Sequence, residues 1–168
     1  DKLRALCASP YASVRQHAAK ALTALLGGQK VACAAPVDGL PSPVEFDRLR
    51  SGKVTLSFAS DVGPLSMELD ADLAPLAVTR IADLASNGFY NGMIVHRVVA
   101  GFVTQLGSPT ADGFGVPPGR PSIACETSPV GYGPWSVGMA LAGRDTGTSQ
   151  IFVTHAPFPH LDGRYAWL

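Results

Sequence analysis

Charge is what this chain has least of. Only 15% of its 168 residues are Asp, Glu, Lys or Arg, and the two signs cancel at 13 each. Without a basic excess there is no electrostatic case for nucleic acid or for an anionic membrane. No apolar run reaches the roughly 18–20 residues that span a bilayer, so no membrane segment is expected. Cysteine is scarce too: Cys7, Cys33 and Cys125 stand far apart, odd in number and without a CxxC spacing. That pattern argues against a disulfide framework or a zinc site and for buried or incidental thiols, and it leaves the redox compartment open. The glycines of DGFGVPPG at 112–119 follow no strand-to-helix transition and lack a GK[ST] ending, which argues against a phosphate loop. No GxSxG elbow supports Ser149, His155 and Asp162 as a hydrolase triad, and no third ligand stands near His155 and His160.

What is present is a chain 46% apolar, long enough for one well-buried domain and a smaller piece. Residues 1–28 have a helical pattern. Leu3 and Leu6 end one helix, Ser9-Pro10-Tyr11-Ala12 turns, and Ser13 caps a second helix. That helix carries Val14, Ala18, Ala21, Leu22, Leu25 and Leu26 on one stripe and closes at Gly27-Gly28. The chain starts at Asp1 without methionine, in mid-helix, and stops on the apolar run Tyr165-Ala166-Trp167-Leu168. Both ends read as cut, so the lack of a leader carries no information. Residues 29–52, with Pro36, Pro41, Pro43, Gly39 and Gly52, read as a linker.

From Lys53 the texture is β. Val54, Leu56 and Phe58 alternate with Thr55 and Ser57; after a turn at 60–63, Leu65, Met67 and Leu69 alternate again, which makes a hairpin. Pro75 opens a helix with Asp70 and Asp72 near its positive end; Val78, Ile81, Leu84 and Ala85 share a side, and Asn87-Gly88 stops it. Two short strands follow in IVHRVVAGFVTQLG, Ile94 to Gly107. Residues 107–135 are loop-rich, and further strands are expected at 136–140, 149–154 and 165–168. Many short strands around one helix suggest a closed or nearly closed β-barrel with helical covers.

One charge stands out in IVHRVVAGFVTQLG. A guanidinium stays charged at any working pH and is costly to bury unpaired, so Arg97 among valines is either solvated or has a task. Alternation places Val95, Arg97 and Val99 on one face, with His96 and Val98 on the other. Val103 agrees in parity with Gln105, and Gln150 with Phe152, so each strand presents polar and apolar groups together. The opposite faces carry Val98, Ile151 and Val153 for a core, with His96 as a hydrogen-bonded core histidine.

Together, APLAVTRIADLASNGFYNG, VHRVVAGFVTQLG, VGMALAGRDTGTSQIFVT and PHLDGRYAWL resemble a cyclophilin, a β-barrel peptidyl-prolyl cis-trans isomerase, over about Val54–Leu168. SVRQHAAKALTALLG resembles the second helix of a HEAT-type repeat. The implied fold is mainly β: a cyclophilin-like closed barrel over 53–168 with covering helices, lacking its last strand. An N-terminal HEAT-like helical hairpin at 1–28 and a linker at 29–52 precede it. The resemblance places the catalytic arginine on Arg97. It places pocket and peptide-binding positions on Phe102, Val103 and Gln105, on Ala140, Leu141 and Ala142, on Gln150 and Phe152, and on His160, Leu161 and Tyr165.

The partners so implied are proline-containing polypeptides, with a further protein partner through the helical repeats. Rotation about an X–Pro bond makes and cleaves no bond to carbon, so neither metal nor other cofactor is expected; what helps is selective binding of the twisted amide. The chain departs from the family at Val103 (methionine is usual), Leu106 (glycine), Leu141 (asparagine), Ile151 (phenylalanine), His160 (a large aromatic) and Tyr165 (histidine). Leu106 is expected to stiffen the turn after Gln105, and His160 to loosen the pocket mouth. Two functions stay open: an active isomerase, and a low-turnover module that binds proline-containing segments beside a helical-repeat adaptor.

Overall fold

The computed structural model describes residues 2–9, 12–33 and 46–168. The chain divides into two compact units, Asp1–Ser42 and Pro43–Leu168. In the first, α1 (Lys2–Leu6) packs against α2 (Ala12–Leu25). Helix α2 begins one residue ahead of the expected Ser13 cap, and Gly27 and Gly28, both at positive φ, end it as expected. The expected stripe is only partly buried. Ala18 and Leu22 are covered, whereas Leu25 and Leu26 are exposed at 71% and 42%. The thiols are also not incidental: Cys7 and Cys33 form a disulfide with Cα atoms 4.8 Å apart, and only Cys125 is free. Sequence spacing could not show this, because Cys7 follows α1 and Cys33 lies beyond α2, on a segment tied back to that helix by Val31 N–H donating to Thr23 Oγ1 at 3.0 Å. Half of the expected linker, 34–45, lies outside the described residues. Its end is already fastened to the second unit, with Arg50 N–H donating to Thr79 Oγ1 at 2.8 Å.

In the second unit, β1 (Lys53–Ser60) and β2 (Gly63–Asp70) form the expected hairpin, in register from Lys53↔Asp70 to Ser60↔Gly63. Helix α3 (Pro75–Ser86) lays Ala77, Val78, Ile81, Ala82 and Leu84 inward. The electrostatics at its start differ from expectation. Asp70 pairs with Lys53 at 2.8 Å and Asp72 accepts from Gly52 N–H, while the Glu126 carboxylate takes the orphan N–H groups of Leu76 and Ala77, each at 2.8 Å. A residue 50 positions away thus does what a local cap would do.

A second sheet holds β3 (Val95–Val99), β4 (Val103–Leu106), β5 (Val137–Met139) and β6 (Ile151–Thr154), ordered β3-β4-β6-β5 and antiparallel throughout. Among the described residues the two sheets remain separate ladders, so the expected closed barrel is not formed. The strand expected at 165–168 contributes a single bridge, Gly138↔Trp167, though Leu168 is buried. One core, built on Leu56, Leu69, Val78, Ile81, Met139, Ile151 and Leu168, lies between the hairpin, α3 and one face of this sheet. A smaller cluster of Val103, Tyr132, Phe152 and Leu161 lies elsewhere on the sheet. No helix among the described residues is long and apolar enough to cross a membrane.

Three parity expectations need correction on β3. Val98 is 63% exposed, because β3 is the edge strand and the larger core packs on β5, β6 and the end of β4. Ile151, on the central strand β6, is fully buried, and Val153 packs against the same core. A register shift between Val95 and Arg97 pairs Val95 with Leu106 and Arg97 with Gln105, so Val95 leaves the face of Arg97 and His96 falls out of strict alternation. His96 is half-buried against Gly113 rather than in the core, and neither ring nitrogen makes a hydrogen bond. Burial lowers its pKa, the nearby Asp112 carboxylate acts the other way, and the Arg97 charge lowers it further.

Candidate active site

The site is a row of residues drawn straight across the second sheet. Arg97 on β3 pairs with Gln105 on β4, Gln105 with Phe152 on β6, and Phe152 with Gly138 on β5. Directly paired residues share a face, so a guanidinium, a carboxamide and a phenyl ring stand side by side. The fourth position must be small: a Cβ on Gly138 would overlap the Phe152 ring and the Tyr132 hydroxyl. Glycine there lets Phe152 reach across β5, where it packs 5.5 Å from Tyr132 and edge-to-face 5.6 Å from Tyr165. Tyr132 itself is pinned, its hydroxyl donating to Ala166 O at 2.8 Å, and burial raises its pKa far above the ordinary phenol value.

Around this row lies a pocket of about 190 Å³, lined by Arg97, Phe102, Val103, Gln105, Ala140, Leu141, Phe152, Leu161 and Tyr165. That is below the roughly 300–1,000 Å³ of drug-sized ligand sites, and suits a single small ring. Its apolar floor is buried: Val103 is 3% exposed, Phe152 5% and Leu161 6%. Phe102 forms a wall and is held from outside by Phe158, edge-to-face at 4.8 Å.

Nine of the twelve positions singled out in the sequence line this pocket. The other three lie outside the lining. Ala142 is exposed, and its N–H is taken by Thr146 Oγ1 at 2.8 Å. His160 is exposed and stacks on Phe102, 5.7 Å between centroids and 27° between planes, so it braces the wall from the rim. Gln150 is 8% exposed, and its amide is engaged by protein on both sides. Tyr132 and Phe158 had no signal in the sequence beyond their aromaticity, because both act through ring contacts with residues on other segments.

The polar side of the pocket is a chain of hydrogen bonds. Arg97 Nη1 donates to Gln105 Oε1 at 3.2 Å, and Gln105 Nε2 donates to Gln150 Oε1 at 2.9 Å. Gln150 Nε2 donates in turn to Gly113 O at 2.9 Å and Gly115 O at 3.4 Å. Among the described residues no carboxylate pairs with Arg97, whose exposed guanidinium keeps further N–H donors toward the pocket. Ser149, His155 and Asp162 are occupied separately: Ser149 Oγ donates to Gly107 O, His155 Nε2 bonds Thr104 Oγ1, and Asp162 accepts from Tyr132 N–H.

Leu106 does not burden the turn after Gln105. It ends β4 with its side chain against the larger core, and the bend falls on Gly107 at φ +93°, where a Cβ would overlap Ser149 O.

Comparison with known proteins identifies the family. Residues 53–168 match the model of the family described as "Cyclophilin type peptidyl-prolyl cis-trans isomerase/CLD". The chain is 47% identical over 105 residues to a peptidyl-prolyl cis-trans isomerase of Helicobacter pylori strain J99, an alignment that takes in 61% of this chain and 64% of that protein. It is 48% identical over 82 residues to peptidyl-prolyl cis-trans isomerase B of Bacillus subtilis, covering 48% and 56% of the two chains. The chain therefore spans less than two thirds of the length of these relatives. Among solved structures, a cyclophilin type isomerase of Cryptosporidium parvum superposes with a TM-score of 0.64 at 28% identity, over 68% of this chain and 75% of its own. The same protein has been solved in the presence of the dipeptide Ala-Pro. With a matching family model over more than half its length and a row of Arg97, Gln105 and Phe152 facing one small pocket, the chain belongs to the cyclophilin-type peptidyl-prolyl cis-trans isomerase family.

Proposed function

We propose that this chain catalyses cis-trans rotation of X–Pro bonds in polypeptides by binding the twisted amide more tightly than either planar form. Amide resonance sets a barrier of about 18–20 kcal/mol. As the bond twists, the proline nitrogen becomes pyramidal and gains a lone pair that the planar ground state does not offer. A fixed donor beside that nitrogen stabilises the transition state selectively. The observation that carries the reading is Arg97: a guanidinium with no carboxylate partner among the described residues, held by Gln105 at the edge of a ring-sized pocket with an apolar floor.

In this reading Arg97 is the catalytic residue. Phe102, Val103, Phe152 and Leu161 hold the pyrrolidine ring by burying it. Gln105, Ala140, Leu141 and Tyr165 hold the flanking peptide while the other end turns, with His160 and Ala142 at the rim. Neither nucleophile nor metal enters the scheme, since no bond is made or broken. A ~10⁵-fold acceleration requires about 7 kcal/mol of differential stabilisation. One charge-assisted hydrogen bond supplies about 1.5–3 kcal/mol, so orientation and the desolvated pocket provide the larger share.

The second reading is a proline-segment binder of low turnover, with the N-terminal helices as an adaptor of HEAT-like kind. Its support is the short Val103 wall and the exposed Leu6, Leu25 and Leu26 of the first unit. A protease-coupled assay on X–Pro peptides separates the two. Acceleration of the slow phase at catalytic concentrations of the chain supports the enzyme; saturable binding without acceleration supports the binder.

A further inference from the structure

We infer that Gln150 is a positioning residue, which fixes the polarity of Gln105 and thereby the aim of Arg97; this rests on the isomerase reading above. The argument is one of donors and acceptors. A primary amide can be turned end for end at little cost unless its neighbours forbid it, and only groups of fixed polarity can forbid it. Backbone carbonyls are such groups. Gly113 O and Gly115 O, at 2.9 and 3.4 Å, accept and cannot donate, so the side of Gln150 that faces them must be its NH₂. Its oxygen then faces Gln105 and accepts from Nε2 at 2.9 Å. Gln105 must in consequence present its own oxygen to Arg97, whose guanidinium has donors only, at 3.2 Å. Polarity is imposed at a loop and delivered to the catalytic guanidinium through two carboxamides.

Three further facts fit this role better than substrate contact. Gln150 is 8% exposed and does not line the pocket. Both ends of its amide are already engaged. Its backbone is also held, with its carbonyl accepting from Ala140 N–H at 2.8 Å and its N-terminal neighbour Ser149 bound to Gly107 O. The loop that sets the polarity is itself ordered, since Gly113 N–H donates to Ser108 Oγ at 3.1 Å and Phe114 N–H to Asp112 Oδ1 at 2.9 Å.

The test is a double-mutant cycle in the full chain, read by steady-state kinetics on an X–Pro peptide. Gln150→Leu is expected to lower kcat about tenfold, the worth of one misdirected hydrogen bond, with KM changed less than about twofold. In a Gln105→Leu background the same change is expected to cost nothing further, because the chain of hydrogen bonds from Gln150 to Arg97 runs through Gln105. A rise in KM at constant kcat would show direct substrate contact and overturn the inference. So would losses that multiply in the double variant, or a loss matched by a fall in melting temperature. Gln150→Met, which keeps the length and removes both the donor and the amide acceptor, serves if Gln150→Leu does not fold. The side-chain amide resonances of Gln105 provide a readout independent of turnover. Slow hydrogen exchange that becomes fast in Gln150→Met supports the inference, and exchange that is equal in both overturns it. Absence of turnover in the unsubstituted chain would refute the isomerase reading alone.

Discussion

Replacing Arg97 with alanine is the perturbation whose size can be worked out most fully. The side chain is exposed, makes one hydrogen bond, to Gln105, and pairs with no carboxylate among the described residues. Its loss leaves no buried charge, so stability should stay within about 0.5 kcal/mol of the parent. The catalytic term is larger. Removing a charge-assisted hydrogen bond made only in the twisted state costs about 1.5–3 kcal/mol, or about 10- to 150-fold in kcat/KM. Gln105 is left without its guanidinium donor but remains bonded to Gln150, so the pocket should keep its shape. Arg97→Lys should recover little, because an ammonium keeps the charge and loses the planar fork that lets one nitrogen hold Gln105 while others face substrate. The assay is the protease-coupled rate on an X–Pro peptide, with thermal melting as control. Unchanged kcat/KM would remove Arg97 from the mechanism. A loss beyond ~10⁴-fold would refute the division of labour, since the pocket is assigned the greater part of the stabilisation.

Gly107→Ala should destabilise the second unit by at least about 3 kcal/mol, seen as a lower denaturant midpoint, because it combines a left-handed backbone with a Cβ directed at Ser149 O. Glu126 makes pH dependence with a definite sign. Burial raises its pKa above the ordinary 4.5 and the Leu76 and Ala77 N–H bonds offset this only in part, so its contribution to stability falls as pH rises through the raised value. Subtracting denaturation curves of Glu126→Gln from those of the parent, pH by pH, should isolate that decline; a difference that grows with pH would contradict it. Reducing Cys7–Cys33, 26 residues apart, should weaken the first unit by about 3 kcal/mol on loop-closure grounds, and protease should then cut within α1 or α2 sooner.

Much of the second unit could be read in advance because its periodicities are clean. The alternation of Val54, Leu56 and Phe58 defined the hairpin, and Pro75 and Asn87-Gly88 bracketed α3. The pocket residues were legible through family motifs, and Arg97 also through physics, as a charge set among valines. What could not be read shares one cause: it depends on what lies opposite. Alternation assigned Val98 a face, but not that its strand would be the edge. His96 left the pattern through a register shift, which has no mark in composition. The pairing of Cys7 with Cys33, the capping of α3 by Glu126, and the two loop carbonyls that saturate Gln150 all join segments far apart in sequence. Barrel closure was inferred from the number of strands, and strand number does not say which edges meet.

The central claim is that the chain speeds rotation rather than merely holding a proline segment. Exchange spectroscopy by NMR on a short X–Pro peptide measures this directly, because cis and trans forms give separate resonances and interconvert unaided only over tens to hundreds of seconds. The account predicts exchange cross-peaks at mixing times below a second when the chain is present at a few per cent of the peptide, and their marked weakening with Arg97→Ala. Peptide shifts that report binding to the Arg97, Phe102 and Phe152 pocket, with no cross-peaks and no faster exchange, would contradict it.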